Sequence, residues 1–174
     1  LDADTIVGTG HLMRCLTIAD DLRILNYCCH FFSITLTRPL HDLLICHGHK
    51  VHTVENEKEI ISLIVNLNPE LLIIDHYGLD ARFERKVSAI SRRILVIDDL
   101  ADRSHKCDFL LDQGPLRTTE DYRPLVNREC KFFLGTKFAL IRPEFRKHRK
   151  SQCNSWGKGL VCLGGSDPCN ITLQ

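Results

Sequence analysis

Two short apolar runs, each followed by an acidic residue, restrict the fold of this chain more than any other feature. Residues 71–74 read Leu-Leu-Ile-Ile and precede Asp75, and residues 94–97 read Ile-Leu-Val-Ile and precede Asp98. A strand that is apolar on both faces needs cover on both sides, and parallel sheets between helices provide it. The sequence therefore predicts a mainly parallel sheet with helices on both faces.

Helical and strand patterns alternate along the rest of the chain. The predicted helices cover residues 11–25, 40–46, 57–67 and 80–91, and the predicted strands cover residues 28–36, 51–54, 71–74, 94–97 and 109–111. Asn56 is a predicted N-cap of the third helix, with Glu59 three residues later. Alternation at this spacing predicts a doubly wound, Rossmann-like α/β sheet, in which ligands bind at the carboxyl ends of the strands.

The length of 174 residues suits one domain, or one domain and part of another. We expect residues 1–145 to form an N-terminal domain, residues 146–157 a basic surface linker, and residues 158–174 the start of a second βα unit. A glycine loop that opens a helix in this fold normally follows the first strand of the sheet. Only residues 1–7 precede the loop here, so we expect that strand to lie outside this sequence.

Composition narrows the choice of partner. Lys and Arg number 23 and Asp and Glu number 22, so the net charge of +1 excludes a strongly basic nucleic-acid binder. No apolar run approaches the roughly 20 residues of a membrane-spanning helix, and the first residues lack the features of a secretory signal. We expect a cytoplasmic protein whose partner is a small molecule, with no nucleic acid and no membrane; the oligomeric state stays open.

The nine cysteines predict reduced, mostly buried thiols, because their number is odd and their spacing shows no pairs. One Cys/His cluster, formed by Cys46, His47, His49 and His52, lacks the second half of a structural zinc site. We interpret this cluster as a polar turn between a helix and a strand, and we predict no metal there.

His11 is the strongest candidate for a catalytic group. It follows Gly8, Thr9 and Gly10 at the start of a predicted helix, where unpaired backbone N–H groups and the helix dipole create a positive field. That field favours the neutral imidazole, which can accept a proton from water, and the same N–H groups can bind a diphosphate or a carboxylate. Arg14, one turn later, can hold an anion beside His11. The alternative is that His11 caps the helix and Arg14 is a surface residue.

Polar side chains also follow two of the predicted strands. Asp75 and Tyr77 can contact a sugar or cap the following turn. Asp98 and Asp99 can bind a metal or a ribose, although structural capping is the favoured interpretation for them.

A second glycine-rich segment lies near the end of the sequence. The apolar residues 160–163 predict a strand, and Gly164, Gly165, Ser166 and Asp167 follow it. Glycines in this position let backbone amides approach a phosphate. The segment lacks the Gly-Lys-Ser/Thr end of a P-loop.

Five stretches in a fixed order resemble one known family. They are residues 2–16, 75–80, 96–101, 134–145 and 163–168. This combination is similar to the nucleotide-sugar hydrolases of pseudaminic acid biosynthesis, which remove UDP from a diacetamido-trideoxy-altropyranose. The resemblance implies a two-domain, glycosyltransferase-B-like architecture related to the MurG type, in which the N-terminal domain receives the sugar and the C-terminal domain binds UDP.

The resemblance also implies a mechanism. Water activated by His11 attacks the anomeric carbon, and hydrolysis proceeds with inversion and without a metal or another cofactor. Tyr77 lines the sugar pocket, and we predict further substrate contacts at Gly8, Gly10 and Arg14. The contacts implied near the nucleotide are Gly164, Gly165, Ser166 and Asp167.

The chain departs from the family pattern at both ends. The family opens with a strand and an Arg-x-Asp sequence before the glycine loop, whereas this chain opens with Leu1-Asp2, and most of the UDP-binding domain is not in it. We therefore expect these 174 residues alone to be inactive. Two alternatives stay open: a UDP-sugar glycosyltransferase or hydrolysing epimerase of the same fold, and a non-catalytic α/β fragment.

Overall fold

The computed structural model describes residues 9–147, without the side chains of Arg146 and Lys147. The helices in this range are α1 (Gly10–Ile24), α2 (Arg38–Cys46), α3 (Glu57–Leu67), α4 (Ala81–Val87), α5 (Thr119–Tyr122) and α6 (Pro143–Lys147). The strands are β1 (His30–Ser33), β2 (Lys50–Thr53), β3 (Leu72–Ile74), β4 (Ile94–Ile97), β5 (Phe109–Asp112) and β6 (Lys131–Leu134). The expected second βα unit and most of the expected linker lie outside the described residues.

Every strand pairing within residues 9–147 is parallel. β1 and β2 form a two-stranded sheet, in which Phe31 lies opposite Val51. The other four strands form a second sheet in the order β3-β4-β5-β6, where Val96 lies opposite Ile74 on one side and opposite Leu110 on the other. The prediction of a parallel, Rossmann-like α/β fold is confirmed.

One apolar cluster fills the face of the four-stranded sheet that points toward α3 and α4. Ile74, Val96 and Leu110 lie side by side on their strands and pack with Ile64 of α3 and Phe83 of α4. All five side chains are buried. Burying them removes apolar surface from water, which is the main force that holds these helices to the sheet.

Helix α1 covers the opposite face and bridges the two sheets. Its residues Leu12 and Leu16 belong to a second apolar cluster, which contains Ile97 and Leu111 of the four-stranded sheet and Phe31 of β1. Because side chains alternate between the faces of a strand, Ile97 and Leu111 point away from the first cluster. The start of α1, which carries His11, is therefore fixed against the core.

Side-chain caps set the ends of the next helices. The Asn56 side chain accepts a hydrogen bond of 3.1 Å from the Glu59 amide, as predicted for the start of α3. That helix ends at Asn68, whose φ of 45° is left-handed. The Asp80 carboxylate accepts a hydrogen bond of 2.8 Å from the Arg82 amide at the start of α4.

Several elements differ from the sequence prediction: β1 is shorter than the predicted strand over residues 28–36, and the short helices α5 and α6 have no predicted counterpart. Helix α4 ends at Val87 rather than at residue 91, because the amides of Ile90 and Ser91 both turn back to the Val87 carbonyl. Strand β6 at the edge of the sheet has no predicted counterpart, since its Lys-Phe-Phe-Leu sequence has neither a two-sided apolar run nor strict alternation. Within residues 9–147, no helix has the length and hydropathy needed to span a bilayer.

Acidic residues mark the carboxyl ends of three neighbouring strands. Asp75 follows β3, Asp98 follows β4, and Asp112 is the last residue of β5. All three are almost completely buried. The Tyr122 hydroxyl lies 3.0 Å from both the Asp98 carbonyl oxygen and the Asp112 carboxylate. These groups therefore lie together at one edge of the sheet, because their strands are parallel.

Truncating the centre of β5 tests this placement of the core. Leu110 is 0% exposed, so Leu110→Ala is expected to lower the free energy of unfolding by about 2–5 kcal/mol in urea denaturation. Leu116→Ala is the matched control, because Leu116 is 85% exposed and its truncation is expected to cost less than about 0.5 kcal/mol. Equal losses in the two variants would contradict the placement.

Candidate active site at the carboxyl edge of the sheet

His11 lies in the first turn of α1 beside the end of β3. Its side chain is buried and contacts the polar side chains of Asp75 and Arg14. The imidazole Nδ1 lies 2.6 Å from Oδ1 of Asp75, the residue that directly follows β3. The contact joins residues 64 positions apart in the sequence, and it orients the ring.

The Asp75 carboxylate holds the start of α1 through a second side chain. Arg14 donates from Nε to Asp75 Oδ2 at 2.5 Å and from Nη2 to Oδ1 at 2.5 Å. Such two-pronged pairing fixes the geometry of both groups. The Cys15 thiol adds a longer hydrogen bond of 3.6 Å to Oδ2.

The geometry selects one tautomer of His11. An ionised carboxylate cannot donate, so a contact of 2.6 Å with Asp75 requires the proton on Nδ1. Arg14 Nη2 also lies 2.9 Å from His11 Nδ1, but Nη2 donates to Asp75 Oδ1 at a shorter distance. We therefore assign the proton to Nδ1. In the neutral imidazole, Nε2 then carries a lone pair, and no hydrogen bond formed within residues 9–147 uses it.

Both members of the Asp75–Arg14 pair stay ionised at neutral pH. Burial alone would raise the pKa of Asp75, but the hydrogen bonds with His11 and Arg14 outweigh it and hold that pKa below its ordinary value. Burial alone would lower the pKa of Arg14, but its contacts with Asp75 and Asp99 raise that pKa above its ordinary value. His11 Nδ1 therefore faces a permanent acceptor.

Arg14 also joins Asp75 to Asp99. Its Nη1 donates to Asp99 Oδ2 at 3.2 Å, so all three guanidinium nitrogens contact carboxylates. In this arrangement Arg14 orients the two acids. The predicted contact between Arg14 and a substrate anion stays a prediction.

Tyr77 forms an exposed wall next to His11. Tyr77 is 46% exposed, and its hydroxyl donates a hydrogen bond of 3.1 Å to Asp99 Oδ1. The Tyr77 and His11 ring centroids lie 4.7 Å apart, with the ring planes nearly perpendicular. A partly exposed aromatic ring offers both an apolar face and a polar tip to a ligand. The structure thus brings His11, Arg14 and Tyr77 together.

Asp98, the residue before Asp99, has a structural role. Its Oδ2 accepts a hydrogen bond of 3.0 Å from the Ala101 amide, and its Oδ1 lies 2.8 Å from Arg103 Nη1. Ala101 has a left-handed φ of 53°, a conformation that the Asp98 cap helps to hold. The geometry supports the capping interpretation of Asp98, whereas Asp99 belongs to the site.

Sequence reasoning misses three residues that support the site. His105 Nδ1 lies 2.7 Å from Glu84 Oε1, and both side chains are completely buried. Arg103 donates to the Leu79 carbonyl at 3.0 Å and lies 5.9 Å from the centre of the Tyr77 ring. Only Glu84 leaves a signal in the sequence, because it is an acid on the buried face of α4.

The remaining residues singled out in the sequence lie at the start of α1, in the turn after α2 or outside the described residues. Gly10 opens α1, and a Cβ added there would meet nothing within 4 Å, so no described residue requires a glycine for space. His47 Nδ1 and His49 Nε2 each lie 2.9 Å from the Asp20 carboxylate, as expected for a polar turn tied to a neighbouring helix. The predicted sites outside the described residues are Gly8, Gly164, Gly165, Ser166 and Asp167.

Sequence comparison finds related proteins for nearly the whole chain. The chain is 32% identical over 177 residues to the UDP-2,4-diacetamido-2,4,6-trideoxy-beta-L-altropyranose hydrolase of Campylobacter jejuni, an alignment that covers 99% of this chain and 61% of that protein. It is 26% identical over 180 residues to an uncharacterized protein of Methanocaldococcus jannaschii, covering 99% of this chain and 37% of the relative. No family model matches the sequence.

The 32% identity supports a relationship between this chain and the aligned part of the hydrolase. The chain spans about three fifths of the Campylobacter protein and less than two fifths of the archaeal one. Sequence identity over such a part of a relative supports common descent of that part. The reaction of the whole protein is a separate question.

Asp75→Asn tests the assigned tautomer of His11. The amide can donate as well as accept, so it no longer selects the Nδ1–H form. Two-bond proton–nitrogen NMR spectra of histidine-labelled protein in mildly alkaline buffer are expected to show Nδ1–H for His11 in the native protein and a mixture in the variant. Asp99→Asn is the matched control, because Asp99 does not touch His11. A native spectrum with the proton on Nε2 would refute the assignment.

Asp75→Asn is also expected to change how the free energy of unfolding depends on pH in acid. Because the pKa of Asp75 is lower in the folded protein, its carboxylate stabilises the fold above the unfolded pKa of about 3.9 and loses this effect as pH falls through the lower folded value. The difference in unfolding free energy between native protein and Asp75→Asn is expected to narrow below about pH 4. Urea denaturation of both proteins across the acid range measures this difference in unfolding free energy. A difference that widens as the pH falls would contradict the lowered pKa of Asp75.

Proposed function

We propose that this chain forms the sugar-receiving domain of an inverting UDP-sugar hydrolase in which His11 is the general base. The observation that carries the proposal is the contact of His11 Nδ1 with Asp75, which leaves Nε2 able to accept a proton. The similarity to the Campylobacter hydrolase supports the substrate class. Because the chain spans about three fifths of that protein, the activity is proposed for a complete two-domain protein.

In the proposed reaction, one bond forms and one bond breaks at the anomeric carbon. The oxygen of water bonds to this carbon, while the bond from the carbon to the β-phosphate oxygen of UDP breaks and leaves its electron pair on UDP. The proton of the attacking water moves to His11 Nε2. A single displacement of this kind inverts the anomeric configuration.

The charged groups of the cluster are two carboxylates and one guanidinium. Asp75 and Asp99 contribute two negative charges and Arg14 one positive charge, so the cluster has a net charge of about −1 while His11 is neutral. Accepting a proton brings this charge close to zero, and the imidazolium then lies against the Asp75 carboxylate. Asp75 is therefore a positioning residue that also favours the protonated product of the step.

We assign Tyr77 to the sugar pocket. Its ring is exposed beside His11, and an aromatic face can pack against the C–H groups and acetamido methyls of a diacetamido-trideoxy sugar. Burial and the neighbouring Asp99 raise the pKa of Tyr77, so its hydroxyl remains a neutral donor. The amides of Gly8 and Gly10 and the side chain of Arg14 are the other proposed sugar-side contacts.

The finer parts of the proposal follow from the resemblance between motifs. In a glycosyltransferase-B-like protein, a second domain would bind UDP across a cleft from His11. The proposed nucleotide contacts of this chain are Gly164, Gly165, Ser166 and Asp167. The product would be the free sugar that is used in pseudaminic acid biosynthesis, and the step would need no metal.

Two other functions would use the same fold. A UDP-sugar glycosyltransferase or hydrolysing epimerase could employ His11 as a base with a different acceptor or a different product. A non-catalytic module would leave the orientation of His11 without a chemical role. No contact within residues 9–147 favours either function over hydrolysis.

A hybrid protein tests the proposed activity. Residues 1–157, preceded by the first strand of the Campylobacter hydrolase and joined to its UDP-binding domain, are expected to release UDP from the diacetamido-trideoxy UDP-sugar without any acceptor. His11→Asn is expected to lower kcat by about 100- to 10,000-fold with a smaller effect on KM, because it removes the base and leaves binding groups in place. His47→Asn is the matched control and is expected to retain activity.

Each failure of this test has a distinct meaning. UDP release that requires a sugar or lipid acceptor would identify a transferase. An unchanged rate in His11→Asn would remove His11 from the mechanism. UDP release by the 174-residue chain alone would contradict its expected inactivity.

A further inference from the structure

Two buried thiols lie in contact at the amino ends of β5 and β6. Cys107 precedes β5 by two positions, and Cys130 directly precedes β6. Their Sγ atoms lie 3.6 Å apart, although the residues are 23 positions apart in the sequence. Both side chains are almost completely buried in the apolar cluster that packs with α3 and α4. The candidate active site lies at the opposite ends of these strands, so the pair takes no part in the proposed reaction.

The pairing of β5 with β6 fixes this contact. The strands are parallel, and Phe109 lies opposite Lys131. The Lys131 amide donates a hydrogen bond of 2.9 Å to the Asp108 carbonyl, so the backbones are joined at the residues that directly follow the two cysteines. The sulfur atoms need to approach by about 1.5 Å to reach the disulfide bond length of about 2.05 Å. Rotation of the two side chains can supply a movement of this size.

The other described thiols contact different groups. Cys15 contacts a carboxylate oxygen, and Cys28 contacts a histidine ring. Within residues 9–147, Cys107 and Cys130 form the one hydrogen bond that joins two thiols. The strand pairing therefore brings together two groups that can react with each other.

We propose that Cys107 and Cys130 are a dithiol site that an oxidant of the peroxide class converts to a disulfide within the folded protein. One thiolate attacks an oxygen of hydrogen peroxide, the O–O bond breaks, and the products are a sulfenic acid and a hydroxide ion, which takes up the proton released by the thiol. The second thiol then attacks the sulfenic sulfur, and the S–O bond breaks with loss of water. Two thiols and one peroxide thus give one disulfide and two water molecules.

The surroundings assign the first attack to Cys130. The hydrogen bond from Cys107 and the positive charge of Arg123 outweigh burial and lower the pKa of Cys130, whereas the hydrogen bond with Cys130 and burial raise the pKa of Cys107. The thiolate is the nucleophilic form of cysteine. Cys130 also precedes β6, which ends the four-stranded sheet, and local opening at such an edge admits a small oxidant.

The disulfide braces a segment that supports the candidate active site. Residues 107–130 include β5 and Tyr122, whose hydroxyl lies 3.0 Å from both the Asp98 carbonyl oxygen and the Asp112 carboxylate. A bond between the ends of this segment stabilises the folded protein mainly by restricting the unfolded chain. The ratio of folded to unfolded protein is expected to rise by about 30- to 1,000-fold.

Oxidation of the complete 174-residue chain tests the proposal. The native protein is treated with hydrogen peroxide, the remaining thiols are blocked, and unreduced peptides are analysed by mass spectrometry. The expected results are a peptide pair that links Cys107 to Cys130 and a rise in the Tm of about 5–15 °C. Dithiothreitol is expected to reverse both.

Two alanine variants provide the matched control. Cys130→Ala removes one sulfur atom of the pair, so peroxide is expected to give neither the linkage nor the rise in Tm. Cys29→Ala removes a half-buried thiol outside the pair and is expected to keep both effects. A poorly folded Cys130→Ala protein leaves the test intact, because the linkage and the Tm of the native chain decide it.

Three results would overturn the proposal. In the first, peroxide oxidises the exposed Cys28 and Cys46 while Cys107 and Cys130 stay thiols or pair with other cysteines. In the second, the Cys107–Cys130 linkage forms only in urea. In the third, the linkage lowers the Tm, which would mean that the fold does not accommodate the bond. None of these measurements involves substrate, so the proposed hydrolysis can fail while the dithiol site stands.

Discussion

The buried carboxylate of Asp75 is the interaction on which the candidate site depends. It follows a strand of the core and accepts hydrogen bonds from His11 and Arg14, two residues in the first turns of α1. Removing one partner of a buried ion pair leaves an uncompensated charge and typically costs about 3–5 kcal/mol. The strand end and the helix start are therefore held at one distance, and the imidazole is held in one orientation and one tautomer.

The apolar core and this polar cluster support each other. Leu12 and Leu16 bury α1 against both sheets, which fixes the helix that carries His11. The Asp75 carboxylate then selects the rotation of the histidine ring, while Arg14 and Asp99 extend the cluster to Tyr77 at the surface. The result is an oriented imidazole whose Nε2 has no hydrogen bond from the described residues 9–147. The same carboxylate also lines a cavity between the two sheets.

Sequence reasoning predicts the framework of this arrangement better than its contacts. The apolar runs at residues 71–74 and 94–97 predict parallel strands because a two-sided apolar strand has few other places in a fold. The meeting of Asp75 and Asp98 at one edge follows from the parallel direction of their strands. Strand β6 and the early end of α4 escape prediction, because edge pairing and the turn after Val87 depend on neighbours distant in sequence.

The chemistry of the site shows the same limit. The position of His11 after a glycine loop marks it as a candidate base, but its pairing with Asp75 joins residues 64 apart. Local periodicity does not encode such a contact. Arg14 illustrates the reverse case: its sequence position suggests an anion site, whereas its three guanidinium nitrogens all contact carboxylates of the protein. The buried pair of Glu84 and His105 depends on tertiary packing in the same way.

The central claim is that water, which gives its proton to His11, attacks the anomeric carbon of a UDP-sugar. The most direct measurement is turnover of the hybrid two-domain protein in oxygen-18 water, with the product anomer followed by NMR before it equilibrates. The account predicts that the label enters the hydroxyl on the anomeric carbon of the sugar and that the first anomer formed is inverted. Label in the β-phosphate of UDP, or a first anomer with retained configuration, would contradict it.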